Sequence, residues 1–241
     1  MMNEAKPNYG IPAGEIFTSI LAGATFTVLS VLLFRRFPPT LLLAPIGVYL
    51  IVHGVRIWRS STLEKKLRLR EEFIRIIQPR EGDRVLDVGT GRGLLAVGFA
   101  KVIRCGEVVG IDIWSRFALS GNTPENAVRN AEIEGVKGIV RFETADARKI
   151  PYPDGYFDVV VASFVIHTIR KDEERRKALR EMIRVLKKGG KFAIAEPFTR
   201  GVFWTKEKTE KELSKLGLKD IKFHPIEGRW WTEYIAYGVK A

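Results

Sequence analysis

The segment Val85-Leu86-Asp87-Val88-Gly89-Thr90-Gly91-Arg92-Gly93 carries the residue types best suited to binding a charged small molecule. An apolar run that ends in an acid and passes into alternating glycines is a strand delivering a nucleotide-like ligand to the start of a helix. Glycines remove the Cβ atoms that would keep a ligand off the backbone. The helix expected from Leu94 adds free N–H groups and a partial positive charge. A second acid, Asp112, closes the next strand-like segment about twenty residues later, where a carboxylate accepts hydrogen bonds from a ribose diol. Together these residues imply an adenosine-containing ligand. They leave its class open, because Gly91-x-Gly93-x-x-Ala96 also satisfies a dinucleotide fingerprint.

The elements that must position them alternate along the chain. Strand patterns run over 84–88, 107–111, 140–144, 157–163, 191–196, 221–225 and 233–240, with helical patterns over 94–103, 124–134, 172–185 and 206–216. This alternation predicts an α/β fold, a doubly wound seven-stranded sheet of Rossmann-like type, with its ligand at the carboxyl ends of the first strands.

Three further blocks narrow the reading. Ala145-Asp146-Ala147 follows the third strand, Phe157 to His167 forms and leaves the fourth, and Arg184-Val185-Leu186-Lys187-Lys188-Gly189-Gly190-Lys191-Phe192 leads into the fifth. With Val85 to Gly93 and Val109-Gly110-Ile111-Asp112, the series resembles the class I S-adenosylmethionine-dependent methyltransferases over residues 84–241. The resemblance is to the small-molecule branch, which includes quinone and sterol methyltransferases and membrane-anchored thiol methyltransferases. It implies S-adenosyl-L-methionine as cofactor. Asp87 and the loop of Gly89, Thr90, Gly91 and Gly93 would hold the methionine moiety, and Asp112 the ribose hydroxyls. Ile113 or Trp114 would lie against the adenine, Asp146 would accept from its amino group with Ala147 beside it, and Ser163 would lie near the sulfonium. The polar stretch Trp114 to Asn122 is longer than the family's usual pattern, and could form a lid.

Methyl transfer is an in-line displacement that mostly needs proximity and exclusion of water. A hydroxyl, thiol or ammonium acceptor must also lose a proton. His167, just past the fourth strand, is the candidate base; the same position also suits a helix-capping or substrate-shaping residue. His53 and His224 read as structural, and Asp158 as a strand-start residue. No Asn-Pro-Pro-Tyr or Asp-Pro-Pro-Tyr tetrad follows the fourth strand, which argues against nucleic-acid amino methylation. No metal site is expected. Single Cys105 excludes an internal disulfide and reads as a small packing residue.

The setting of this domain is unusual. Residues 16–34 carry no charge and would reach about 28 Å as a helix, close to the hydrocarbon thickness of a bilayer. Residues 40–55 are also uncharged, and Arg56 and Trp58 sit where headgroups would be. The short link at residues 35–39 makes the pair a hairpin, either crossing the bilayer twice or dipping into one leaflet. Thr18, Ser19, Thr25, Thr27, Ser30 and Gly23 would pack the two helices or line a lipid-side groove.

The chain's net charge is +12, and residues 56–80 hold eight Lys/Arg against three Glu, a cluster that an anionic leaflet attracts. The expected organisation is therefore a membrane anchor over 1–60 (helices about 16–34 and 40–58), a basic linker helix over 61–80, and the methyltransferase domain over 81–241, facing the cytoplasm. Partners would be the lipid bilayer and a lipophilic small molecule (a quinone, isoprenoid, lipid headgroup or thiol), with pairing of hairpins a route to a homo-oligomer. Phe198, Phe203, Trp204, Trp230, Trp231 and Tyr234 would wall an apolar pocket, dip into the interface, or pack the sheet edge. The alternatives are a protein lysine methyltransferase acting on membrane proteins, and a non-catalytic S-adenosylmethionine-binding regulator.

Overall fold

A computed structural model describes residues 5–34, 36–198, 202–226 and 233–241; Arg35, Trp230 and Trp231 lie outside them. In chain order the elements are α1 (Ala13–Leu33), α2 (Leu43–Ser60), α3 (Leu63–Ile77), β1 (Arg84–Val88), α4 (Leu94–Ile103), β2 (Glu107–Asp112), α5 (Pro124–Ile133), β3 (Val140–Thr144), β4 (Phe157–Ser163), α6 (Asp172–Val185), β5 (Leu186–Pro197), α7 (Lys206–Lys215), β6 (Leu218–Pro225) and β7 (Glu233–Lys240). The strands form one seven-stranded sheet in the order β3-β2-β1-β4-β5-β7-β6. The first five are parallel, and β7 runs antiparallel to both β5 and β6.

Successive strand residues point to opposite faces, so each central strand feeds two cores. Leu86, Val88, Val109, Ile111 and Val160 pack with Leu179 and Met182 of α6 and Leu213 of α7. Val85, Val108, Val159 and Val161 face the other way, onto Phe73 of α3 and Phe99 of α4. Such side chains each contribute about 1.5–3 kcal/mol by leaving water.

Helix α3 differs from the linker expected over 61–80. Its positive surface overlies an apolar stripe, Leu69, Phe73 and Ile77, buried in the domain core. The helix ends where Gln78 turns left-handed (φ 47°) before Pro79. Cys105 is also a correction: it is exposed in the turn between α4 and β2, not a packing residue.

Helices α1 and α2 are long and apolar enough to cross a bilayer, with boundaries displaced from those expected. The first starts at Ala13, and a short 3-10 turn over Pro38–Leu42 precedes the second. They pack on each other through small residues. A Cβ on Gly47 would stand 2.3 Å from Thr27 Oγ1, and one on Gly23 2.6 Å from the Gly47 carbonyl. Gly23, Ser30, Gly47 and Gly54 are buried in this contact, whereas Thr18 and Thr25 face outward and bond to carbonyls of their own helix. Phe17, Leu21, Val31 and Leu32 remain exposed.

The residues before α1 fold back onto the sheet domain. Asn8 exchanges backbone hydrogen bonds with the Asn130 side chain at 2.9 Å in both directions. Ile11 N–H donates to Ser120 Oγ, and Ser120 N–H donates back to the Ile11 carbonyl. Tyr9 is buried with its hydroxyl on Glu134, which also takes Arg70 and Lys101. Both ends of the hairpin therefore sit on the sheet domain, α1 through this strap and α2 through α3.

Candidate active site

The strand order reverses between β1 and β4, and in open α/β sheets ligands bind outside the carboxyl ends of strands at such a point. The loop after β1 and the segment after β4 meet there. Gly89 (φ +68°) lies so close to Val165 that a Cβ would stand 2.3 Å from Cγ2 of that valine. The loop is held against β2 by Gly89 and Thr90 N–H groups donating to the Ile111 carbonyl.

Asp87 organises this loop. Its Oδ2 accepts from Thr90 Oγ1 at 2.7 Å and from Ala96 N–H, in the first turn of α4, at 3.0 Å. The side chain is buried, and burial outweighs both donors, pushing its pKa up to about 7. It shapes the loop from behind.

Asp112 is also buried, and is tied to the same loop. Its Oδ2 accepts from Gly91 N–H at 2.8 Å; its Oδ1 accepts from Trp114 N–H at 2.7 Å and from Asn122 Nδ2 at 3.3 Å. A carboxylate has about four acceptor positions, so three are taken. Beside it, buried Asn122 leaves Oδ1 without a partner among the described residues. An orphaned acceptor next to a carboxylate suits a ligand diol, which would donate to both. Asn122 is a candidate site residue that the sequence reading treated only as the end of the 114–122 insertion.

That insertion does cover the loop. Leu119 Cδ2 would lie 2.9 Å from a Cβ on Gly91, and Phe117 packs on Gly14 at the start of α1. Ile113 is 65% exposed at the carboxyl end of β2, available to a flat ring. Trp114, in left-handed backbone (φ 60°), turns its indole N–H to Thr144 Oγ1 at the end of β3. Asp146 is held by Arg148, which reaches both carboxylate oxygens at 2.6–3.1 Å and keeps its pKa low. Its acceptor capacity is thus shared with Arg148. Ala147 is half-buried beside it, and Ser163 is half-buried where β4 ends.

His167 sits in a short turn beyond β4, 22% exposed, with Nδ1 2.6 Å from Oε2 of Glu196. Glu196, near the end of β5, is fully buried and also accepts from the Val165, Ile166 and His167 N–H groups at 2.7–3.3 Å. Burial opposes charge on the imidazole; Glu196 more than offsets this, so the His167 pKa is raised. Glu196 was missed in the sequence, although its signal was there. An apolar strand ending in an acid is the same pattern that marks Asp87 and Asp112.

Four of the other sequence candidates are structural. Asp158 accepts from Arg84 N–H and from Lys187. Phe198, Phe203 and Trp204 are buried against the α6–α7 core rather than lining an open pocket. No group of three or more metal-ligating side chains occurs among the described residues.

A sheet of this order, with a glycine loop after β1, an acid after β2 and an antiparallel β7, defines the architecture of class I methyltransferases. Comparison with known proteins agrees. Residues 86–194 match the family described as methyltransferase domain. The ubiquinone/menaquinone biosynthesis C-methyltransferase UbiE of Azotobacter vinelandii is 35% identical over 143 residues, 58% of this chain and 48% of that protein. The UbiE of Vibrio vulnificus is 36% identical over 125 residues, 52% and 44%. The chain thus spans about half the length of the curated relatives it matches.

Among solved structures, the YcgJ protein of Bacillus subtilis aligns with a TM-score of 0.55 at 25% identity, over 66% of this chain and 70% of that one. A SAM-dependent methyltransferase of Aquifex aeolicus shares the fold at 0.58 and 22%, over 73% and 92%. Over residues 86–194 the chain is thus similar to the methyltransferase domain, and the fold it shares with the Aquifex aeolicus protein is that of a SAM-dependent methyltransferase.

Proposed function

We propose that this chain is a membrane-anchored methyltransferase that moves a methyl group from S-adenosylmethionine to a lipophilic small molecule of the quinone type. One observation carries the reading: the base of the apolar hairpin abuts the mouth of the site, with Gly14 of α1 packed on Phe117 of the loop that follows Asp112. An acceptor dissolved in the bilayer would be concentrated beside that mouth. The outward apolar faces of α1 and α2 have little cover in the chain itself, and the excess of Lys and Arg over residues 56–80 supports a catalytic domain on the cytoplasmic side.

Bound S-adenosylmethionine supplies an electrophilic methyl group on its sulfonium. The chain's residues do the rest. The Gly89–Gly93 loop and the start of α4 would receive the methionine end, Asp112 and Asn122 would take the ribose diol, and Ile113 would lie against the adenine. The orphaned Asn122 oxygen and the positive-φ glycines fit that group. Glu196 fixes a proton on Nδ1 of His167, which leaves Nε2 to take a proton from the acceptor's hydroxyl. Loss of that proton makes the acceptor ring carbon electron-rich enough to attack; the spent donor would leave as S-adenosylhomocysteine, and the methylated carbon must then shed its own hydrogen as a proton, which restores the aromatic ring and the hydroxyl. The names of the UbiE relatives support a quinone-type acceptor.

The test is incubation of the full chain in anionic nanodiscs with methyl-tritiated S-adenosylmethionine and a membrane lipid extract. Label in the organic phase is expected. Label on protein bands would replace the small-molecule acceptor with a protein one, and no label above the blank would overturn turnover.

A further inference from the structure

Two titratable side chains of the hairpin face each other at its base. Glu15, in the first turn of α1, lies 3.8 Å from Nε2 of His53 on α2. A carboxylate at a helix start is ordinary by itself, since the helix dipole favours it. His53 has no such explanation. It stands at the edge of the apolar run 40–55, one turn before Arg56. Ionisable groups in an apolar span are costly and mark binding or transport sites.

The location is specific. Gly14, next to Glu15, touches Phe117 of the loop over the cofactor site, and Gly54, next to His53, packs on Ile16 and Ile20 of α1. Both side chains therefore sit at the level of the site mouth. Glu15 also acts on His167: burial disfavours the imidazolium, and Glu196 and then Glu15 reverse this. The Tyr49 ring stacks parallel to the His53 imidazole, centroids 6.1 Å apart, so a flat apolar surface adjoins the polar pair.

We infer that Glu15 and His53, one from each hairpin helix, form with His167 the subsite that holds the polar head of the lipophilic acceptor as it arrives from the bilayer. The inference rests on the methyltransferase reading and names its acceptor side. The chemistry that fits is a hydroxylated ring on an apolar tail. Glu15 accepts from one hydroxyl and His53 donates to that same oxygen, as the 3.8 Å between them allows; the second hydroxyl is left for His167, and the ring lies beside Tyr49 while the tail stays in lipid. The hairpin is then part of the substrate site as well as an anchor.

The experiment measures binding of a decyl-substituted hydroquinone, kept reduced, to the full chain in nanodiscs, for wild type, Glu15→Gln and His53→Gln. S-Adenosylmethionine affinity is measured on the same samples. Each variant should bind the hydroquinone about tenfold more weakly, a loss of about 1.4 kcal/mol, with cofactor affinity unchanged. Histidine NMR should show the His167 pKa falling in Glu15→Gln. Unchanged hydroquinone affinity in both variants, or no hydroquinone binding by a wild type that binds cofactor, would overturn the subsite and leave the methyltransferase reading standing. Absence of cofactor binding by folded wild type would instead remove the reading on which it rests.

Discussion

Glu196 Oε2 meets Nδ1 of His167 at 2.6 Å while the same carboxylate collects three backbone N–H groups from the turn that carries the histidine. A fully buried acid thereby fixes both the position and the tautomer of an imidazole at the site mouth. Glu196→Gln keeps the shape but turns an amide N–H toward donors, so it should cost about 2–3 kcal/mol of stability. Without the charge, the raised His167 pKa should fall. Because the base must be neutral, the acidic limb of the pH–rate profile should move to lower pH, and turnover should drop with little change in cofactor affinity. A limb that stays in place would show that His167 is not the titrating base.

The strap before α1 should matter to cofactor binding despite its distance in sequence. Asn130 donates from Nδ2 to the carbonyls of Asn8 and of Arg92, the latter within the glycine loop. Asn130→Ala should leave buried backbone groups unpaired, costing about 1–3 kcal/mol, and weaken S-adenosylmethionine binding several-fold by calorimetry. Lowered stability with full affinity would mean that the strap is only a fastening.

Asp87 makes a prediction about pH. In the unfolded chain its carboxyl loses a proton near pH 4, whereas burial raises the folded value to about 7. Between these values the unfolded state binds fewer protons, so this group's contribution falls as pH rises through the window, on the order of a few kcal/mol in all. Asp87→Asn, which keeps an acceptor for Thr90 and Ala96, should give a flatter melting temperature from about pH 4 to 7. An unaltered profile would place the pH dependence elsewhere.

Gly89 is constrained twice, by φ +68° and by Val165 at 2.3 Å from where a Cβ would stand. Gly89→Ala should therefore lose cofactor binding and stability together. Adding Val165→Ala removes the clash and leaves the backbone strain of about 1–2 kcal/mol, so the double variant should recover part of the loss. No recovery would show that backbone strain, not the contact, dominates.

Much of this fold was legible in the sequence because strand and helix periods are separated by glycine and proline. β1, β3, β4, β7, α4 and α6 fall where the pattern places them. β5 was read as starting at Lys191 but begins at Leu186, since Leu186 pairs with Phe157 before the register shifts at Val159. Lys187 to Gly190 carry no alternation to reveal that. The glycine loop and its two acids could be located because apolar strands ending in acids are a local signal. Asn122, Glu15 and the Asn8–Ile11 strap were not visible, because each acquires its meaning from a contact made across the fold.

The central claim is a cofactor site built on Asp112 and the glycine loop. Its most direct test is calorimetric titration of the full chain in detergent with S-adenosylmethionine and S-adenosylhomocysteine, for wild type and Asp112→Ala. Micromolar binding of both ligands, lost by at least about tenfold in the variant, is the predicted result. A folded wild type that binds neither would contradict it.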